Sequence, residues 1–208
     1  MHPASQSKAI ALDADGVLLD YHAAYGAVWE RAFGIAPTIR DSQAYWPIDR
    51  WMVEHLSGTR LAHFQAHFDA SFWSTIPAIE GAVDACHALT SAGFELICIT
   101  AMDADFADAR LHNLRTAGFP IGRVITTERT VQGVSPKASA IASIRPVAFV
   151  DDYLPYHQGI AGLTHCALIT REPNGSPNCG LGLDMVDSQH KDLSGFVEFW
   201  LSQPQIAA

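Results

Sequence analysis

Apolar and polar residues follow one another along this chain in blocks that predict strands and helices in alternation. A short continuous apolar run closed by a turn signal predicts a buried strand near residues 9–13, and further strand-like runs are predicted near residues 95–100, 123–127, 147–151 and 166–169. Between most of these runs, apolar residues recur at the spacing of a helix. Strands that alternate with helices indicate βαβ crossovers, so the sequence predicts an α/β fold with a parallel sheet of about five strands flanked by helices.

Residues 21–76 differ from the rest of the chain. They contain eleven of the twenty aromatic residues, and helical spacing extends over 21–33 and over 51–73, with a break indicated near Ser57-Gly58, without a convincing strand. A helical segment inserted after the first strand would cover the turn that follows that strand. We therefore predict an α/β core formed by residues 1–20 and 77–208, with residues 21–76 as a small α-helical cap.

Two further stretches are predicted to lack regular structure. Residues 38–50 contain Trp46-Pro47, a pair that disfavours helix. Residues 171–191 are rich in Gly, Pro and Asn and are predicted to form a loop. Apolar spacing predicts a closing helix over 193–201.

Composition and charge limit which binding partners and which cellular compartment are expected for this protein. The net charge of −9 and the lack of a basic run argue against nucleic acid as a partner. No apolar run in the sequence is long enough to span a bilayer, and the polar residues 1–8 do not resemble a targeting segment. The four cysteines show no CxxC spacing and no disulfide pattern, so a cytoplasmic location is expected.

Reactive side chains gather where the predicted strands end. The carboxyl ends of parallel strands face one crevice, so residues that follow different strands are expected to meet there. The crevice would hold four carboxylates, a hydroxyl and a lysine. These residues are Asp13 and Asp15 after the first strand, Thr100 at the end of the second, Lys137 at the start of the helix after the third, and Asp151 and Asp152 at the end of the fourth.

This set of groups suits phosphoryl transfer. Neighbouring carboxylates repel one another unless a cation compensates, and Mg²⁺ binds through one or two carboxylates together with a substrate phosphate. A carboxylate can be the nucleophile, and a second one can protonate the leaving oxygen and later activate water. The hydroxyl and the lysine would stabilise charge on the phosphoryl oxygens.

In their order along the chain, four motifs resemble those of the haloacid dehalogenase-like superfamily of phosphohydrolases. The resemblance covers roughly residues 9–20 and 77–170, and it implies a Rossmann-like core with a helical cap inserted after the first strand. The motifs are Asp13-Ala14-Asp15-Gly16-Val17, Ile99-Thr100, Ser135-Pro136-Lys137 and Val150-Asp151-Asp152.

The resemblance implies a role for each motif residue. Asp13 would be the nucleophile and a Mg²⁺ ligand, and Asp15 would be the general acid/base, with its backbone carbonyl on the metal. Thr100 and the backbone N–H of Ala101 would bind phosphoryl oxygens. Lys137 would neutralise the phosphate and orient Asp13. Asp151 would bind Mg²⁺ directly, and Asp152 would bind it directly or through water.

The sequence departs from the family pattern at Val17, where threonine is frequent, and at Ala101, which offers no side-chain contact. Asp15 is informative, because the dehalogenases proper lack an aspartate there. We therefore predict a Mg²⁺-dependent phosphatase that acts on a small phosphorylated metabolite through an aspartyl-phosphate. The alternatives are a phosphomutase on the same scaffold and a phosphate- or metal-binding module without turnover.

Other polar residues are given less specific interpretations. His63 and His67 have the i, i+4 spacing of many zinc sites, but no third ligand is identifiable, so surface histidines of the cap are favoured. Asp103 or Asp105 is expected to cap a helix. Arg40, Arg50 and Arg60 are candidates to contact the substrate, but a position on the solvated surface is favoured for each. Tyr153 and His157 follow the fourth motif and are candidates to line the site.

Overall fold

A computed structural model describes residues 8–131 and 133–203, so residues 1–7 of the predicted polar tail lie outside the described residues. The described residues form one six-stranded sheet in the order β3-β2-β1-β4-β5-β6, in which every pairing is parallel. This arrangement confirms the predicted α/β class. The strands are β1 (Ala9–Leu12), β2 (Glu95–Ala101), β3 (Arg123–Thr127), β4 (Ala148–Asp151), β5 (His165–Ile169) and β6 (Ser188–His190).

The sixth strand, β6, corrects the prediction that residues 171–191 form a loop. Ser188 pairs with Ala167 of β5, and Thr170 donates its backbone N–H to the carbonyl of His190 at 2.8 Å. The strand consists of three polar residues at the edge of the sheet, so it has no apolar run that a sequence pattern could detect. Its position is determined by backbone pairing with β5.

Helices cover the sheet and fill the segment after β1. Three predicted helices match closely. They are α1 (Tyr21–Phe33), which ends at Gly34 in the left-handed conformation with φ 73°, α6 (Ala107–Thr116), which a short 3₁₀ turn precedes, and α8 (Leu193–Leu201). No described helix meets the length and hydropathy needed to cross a membrane. The helices are α1 (Tyr21–Phe33), α2 (Pro47–Arg50), α3 (Gly58–Gln65), α4 (Ala70–Trp73), α5 (Ala82–Ser91), α6 (Ala107–Thr116), α7 (Ala138–Ile144) and α8 (Leu193–Leu201).

Residues 21–76, hereafter the helical insert, contain α1 to α4 between the first two strands. Within residues 51–73, α3 begins at Gly58, where the sequence indicates a break, but residues 51–57 are not helical. Helix α4 is separate from α3, and the Asp69 carboxylate caps it by accepting from Phe72 N at 2.9 Å. The stretch predicted as irregular contains the four-residue α2, because Pro47 occupies the first helical turn, where its missing N–H costs nothing. Whether the insert is a separate domain stays a prediction.

The core is apolar and continues from the sheet into the helical insert. Strands β1 and β4 are buried on both faces, as expected for central parallel strands. Inside the insert, Phe64 packs edge-on against Tyr25 and Trp29, with ring centroids 5.4 and 5.2 Å apart. The aromatic residues of this segment therefore form much of its own core, and the remainder face the site described below.

The two segments that connect the helical insert to the sheet are hydrogen-bonded to each other. Leu19 and Ala78 form an isolated antiparallel bridge, in which Asp20 N donates to the Pro77 carbonyl at 2.8 Å and Ile79 N donates to the Leu18 carbonyl at 2.9 Å. The chain therefore leaves and re-enters the core at one hydrogen-bonded point.

A second attachment, the Asn174 clamp, involves the loop after β5. Asn174 donates its backbone N–H to the Gln43 carbonyl at 3.0 Å and accepts from Tyr45 N at 2.9 Å. Its side-chain amide also donates to the Asp41 carboxylate at 2.9 Å. The helical insert is consequently tied to the core loop as well as to the strand ends.

Candidate active site

Strands β1 and β4 bring three carboxylates to one point at the centre of the sheet. The chain passes from β1 into Asp13, whose N–H donates to the Val150 carbonyl at 2.9 Å, and β4 ends at Asp151. One carboxylate oxygen from each of Asp13, Asp151 and Asp152 lies within 4.8 Å of the others, and all three side chains are buried. We call these three residues the acidic cluster.

Lys137 joins two members of the acidic cluster. Its Nζ lies 2.6 Å from Asp13 Oδ1 and 2.6 Å from Asp151 Oδ2, and the side chain is fully buried. The residue immediately precedes α7, where its backbone N–H donates to Ser135 Oγ at 3.2 Å. The site thus holds one ammonium among three carboxylates.

The pKa values of these groups reflect this shortage of positive charge. Burial raises the pKa of Asp13 to about 6, despite the opposing effect of Lys137, and burial also raises the pKa of Asp152 well above its usual range. Burial alone would lower the pKa of Lys137, but the charges of Asp13 and Asp151 outweigh that effect and raise it. Hard carboxylate oxygens that are short of positive charge fit a divalent cation.

Asp15 lies apart from the acidic cluster and pairs with Arg110, a residue that sequence reasoning missed. Arg110 Nη2 lies 2.8 Å from both carboxylate oxygens of Asp15. The arginine side chain is fully buried, and its guanidinium carbon lies 5.1 Å from the centre of the Trp73 ring. Burial raises the pKa of Asp15, and the Arg110 charge opposes that shift.

No sequence pattern singled out Arg110, because two of the three buried residues of α6 are polar. On α6 the buried face consists of Arg110, Asn113 and Leu114, which are spaced i, i+3, i+4. A charged residue on the buried face of a helix is unusual unless it has a partner. The partner, 95 residues away in sequence, could be identified only from the structure.

The other predicted site residues surround the acidic cluster. Thr100 and Ala101 end β2, and both line the cavity that opens above the cluster. Gly16 has φ +89°, and a Cβ at this position would lie 2.1 Å from Asp152 Oδ2. A glycine is therefore required at position 16 both for the backbone and for the close approach of Asp152.

Asp152 is held by residues from the loop after β5 and from the helical insert. Asn178 Nδ2 donates to its backbone carbonyl at 2.7 Å, and the Tyr45 hydroxyl donates to the same oxygen at 3.2 Å. Arg171 Nε lies 3.8 Å from Asp152 Oδ2 and 3.0 Å from a carboxylate oxygen of Glu172. Arg171 was not among the predicted site residues.

The cavity above the acidic cluster has a volume of about 830 Å³, within the usual range for small-molecule sites. Asp13, Asp15 and Asp152 lie at one end of its lining. Nine aromatic residues also line it, seven of them from the helical insert. We call this space the aromatic cavity.

The structure shows where the residues with less specific predictions lie relative to the aromatic cavity. Tyr153 lines the aromatic cavity, whereas His157 is fully buried and does not line it. Asp103 caps the 3₁₀ turn before α6, accepting from Asp105 N at 3.0 Å. The remaining candidates stay outside the cavity lining: Arg40, Arg50 and Arg60 contact other residues of the insert or Glu172, and His63 and His67 contact backbone carbonyls.

The structure is thus an α/β protein with a parallel sheet and a buried acidic cluster after its central strands. A family model described as haloacid dehalogenase-like hydrolase matches residues 7–144, so the chain belongs to that family. The chain matches no curated protein.

Solved structures share the fold at low sequence identity. A HAD family hydrolase from Deinococcus radiodurans R1 with bound phosphate and sodium is 15% identical, with a TM-score of 0.62 and 97% of each chain covered. The L-2-haloacid dehalogenase from Xanthobacter autotrophicus, with chloropropionic acid covalently bound, is 13% identical, with a TM-score of 0.57 and coverage of 95% of this chain and 99% of that chain. At these identities the likeness concerns the fold.

Proposed function

We propose that this hydrolase is a Mg²⁺-dependent phosphatase that acts on a small phosphate monoester through an aspartyl-phosphate on Asp13. The observation that carries the proposal is the position of Lys137 Nζ, 2.6 Å from both Asp13 and Asp151 within the acidic cluster. A buried ammonium beside a carboxylate nucleophile keeps that carboxylate ionised and oriented, and it also attracts a phosphate group.

In the first half of the reaction, Asp13 attacks the phosphorus atom of the ester. A bond forms between an Asp13 carboxylate oxygen and phosphorus, while the bond from phosphorus to the ester oxygen breaks. Protonated Asp15 donates its proton to the departing oxygen, so the alcohol leaves neutral. The family resemblance assigns Thr100 and the N–H of Ala101 to the phosphoryl oxygens, and both residues line the cavity beside Asp13.

In the second half, water replaces Asp13 on phosphorus. Asp15, now ionised, accepts a proton from the attacking water, the bond from phosphorus to Asp13 breaks, and phosphate leaves. Asp13, Asp151 and Asp152 would hold Mg²⁺, which neutralises charge on the phosphoryl oxygens when it is bound. Lys137 keeps Asp13 in place through both halves.

Asp15 favours phosphate esters over carbon–halogen substrates, because a general acid at this position serves an oxygen leaving group. The test is release of phosphate from para-nitrophenyl phosphate with Mg²⁺ and with a chelator, for the wild type and Asp13→Asn. The expected result is metal-dependent release that is lost in Asp13→Asn. Wild-type activity in that variant, or chloride release from 2-chloropropionate without phosphate release from any ester, would overturn the proposal.

A further inference from the structure

The aromatic cavity provides a physical basis for the choice of substrate, because it extends directly from the acidic cluster. A phosphate held at Asp13 would place the rest of the ester against the rings of the helical insert. From this arrangement we infer that the preferred substrates are phosphate monoesters whose alcohol carries a planar aromatic ring. The inference rests on the proposed phosphatase function and specifies its substrate class.

One wall of the cavity consists of rings fixed by their mutual packing. Tyr21 and Trp73 lie nearly parallel, with centroids 6.4 Å apart and an interplanar angle of 25°. Phe64 and Phe68 meet edge to face at 5.1 Å. Rings that are already ordered lose little freedom when they bind a ligand, so this wall is preorganised for a flat apolar body.

The second wall carries a ring that is open to solvent. Trp46 packs edge-on against Tyr45 and Tyr153, with centroid distances of 4.9 and 6.2 Å, yet 41% of its surface is exposed. Tryptophan exposes so much surface less often than polar residues do, and an exposed ring beside a cavity offers a face for stacking. Trp46 is therefore the residue that the inference assigns to substrate contact.

Away from the acidic cluster the cavity lining is mainly aromatic, and a cation lies among the rings. Arg171 lies at the phosphate end, beside Asp152, and pairs with Glu172, whereas Gln65 lines the part of the cavity formed by the helical insert. Arg129 lines the same space with its guanidinium carbon 5.9 Å from the Trp73 ring centre. Stacked rings and cations recognise a π system, whereas hydroxyl groups need paired donors and acceptors.

The experiment compares esters that differ only in the body of the alcohol. Benzyl phosphate and cyclohexylmethyl phosphate both release a primary alcohol, so leaving-group chemistry is matched, and sn-glycerol 3-phosphate supplies a polar body. We expect kcat/KM for benzyl phosphate to exceed that for cyclohexylmethyl phosphate at least threefold and that for glycerol 3-phosphate at least tenfold. Equal kcat/KM values for all three esters would overturn the inference and leave the phosphatase proposal standing.

Variants at Trp46 test whether this residue causes the preference for esters of aromatic alcohols. Trp46→Ala should raise KM for benzyl phosphate at least fivefold and lower kcat/KM for glycerol 3-phosphate by a clearly smaller factor, whereas Trp46→Phe should restore most of the loss. Leu181→Ala is the control, because Leu181 is 90% exposed and does not line the cavity. An unchanged KM in Trp46→Ala would contradict the assignment. If no ester released phosphate, both the inference and the proposed function would fail.

Discussion

Arg110 donates from a single nitrogen, Nη2, to both carboxylate oxygens of Asp15, each at 2.8 Å. The other two guanidinium nitrogens are buried without a hydrogen-bond partner among the described residues. Asp15 therefore supplies the hydrogen bonds to a fully buried cation, and the Trp73 ring covers one face. The proposed general acid is thus also the counter-ion of a core arginine.

Removing Asp15 should for this reason destabilise the fold as well as stop turnover. Asp15→Ala leaves an unpaired buried charge, and we expect a loss of roughly 3 kcal/mol in the free energy of unfolding. The double variant Asp15→Ala/Arg110→Met removes both charges and should recover most of that loss. Urea unfolding of the two single variants and the double variant measures the coupling. Additive losses would show that the pair does not interact energetically.

Gly16 should be indispensable for metal binding. In Gly16→Ala, the new methyl group would occupy the space of the Asp152 carboxylate, so we expect Mg²⁺ affinity to fall at least tenfold. Gly93→Ala is the matched control, because Gly93 has the same φ of +89° and a Cβ at that position would have nothing within 4 Å. Calorimetric titration of Mg²⁺ into both variants separates the two effects. Equal affinities in the two variants would contradict this role of Gly16.

Mg²⁺ should stabilise the folded protein through the acidic cluster. A cation at 100 times its dissociation constant adds about 2.7 kcal/mol to the free energy of unfolding. This gain should be lost in Asp151→Asn and kept in Asp184→Asn, which changes an exposed carboxylate outside the cluster. Thermal unfolding with Mg²⁺ and with a chelator measures both. An undiminished gain in Asp151→Asn would exclude this residue as a ligand.

His22 should make the fold sensitive to acid. Burial, together with the charges of Arg171 and Arg50, lowers the pKa of His22 to about 4, whereas an unfolded histidine has a pKa near 6.5. Between these values the unfolded chain binds a proton that the folded chain does not, so stability falls as pH falls. The expected loss from pH 7.5 to pH 4.5 is roughly 2 to 3 kcal/mol for this group.

The raised pKa values of the acidic cluster act in the opposite direction, so the effect of His22 has to be taken as a difference between variants. His22→Gln should lose less stability than the wild type over this pH range, as measured by urea unfolding. His55→Gln, which changes an exposed histidine of the helical insert, should follow the wild type. Identical pH dependence in His22→Gln and the wild type would refute the prediction.

Sequence patterns anticipated those parts of the fold that are encoded locally. Strand β3, helix α1 and helix α8 have the predicted bounds, because each helix has a periodic apolar face with clear end signals and β3 is rich in β-branched residues. Strand β6 could not be anticipated, since its three polar residues are held by the neighbouring strand. The break between α3 and α4 was missed because the spacing of the apolar residues continues across it.

In the candidate site, too, some features follow from sequence patterns and others depend on tertiary packing. The meeting of Asp13, Lys137 and Asp151 could be expected from parallel strand order, and the structure brings these side chains together. Their catalytic roles stay predictions. Arg110 and Trp46 could not be placed from sequence, because their positions beside Asp15 and the cavity depend on tertiary packing.

The Asn174 clamp has a consequence for the timing of turnover. Tyr45 belongs both to the clamp and to the cavity wall, so this part of the wall moves outward only after hydrogen bonds to Asn174 break. Escape of product that requires this part of the wall to move is slowed by the tether, whereas bond cleavage does not require that movement. The first turnover of each enzyme molecule should therefore appear as a rapid burst of alcohol, followed by a slower steady rate.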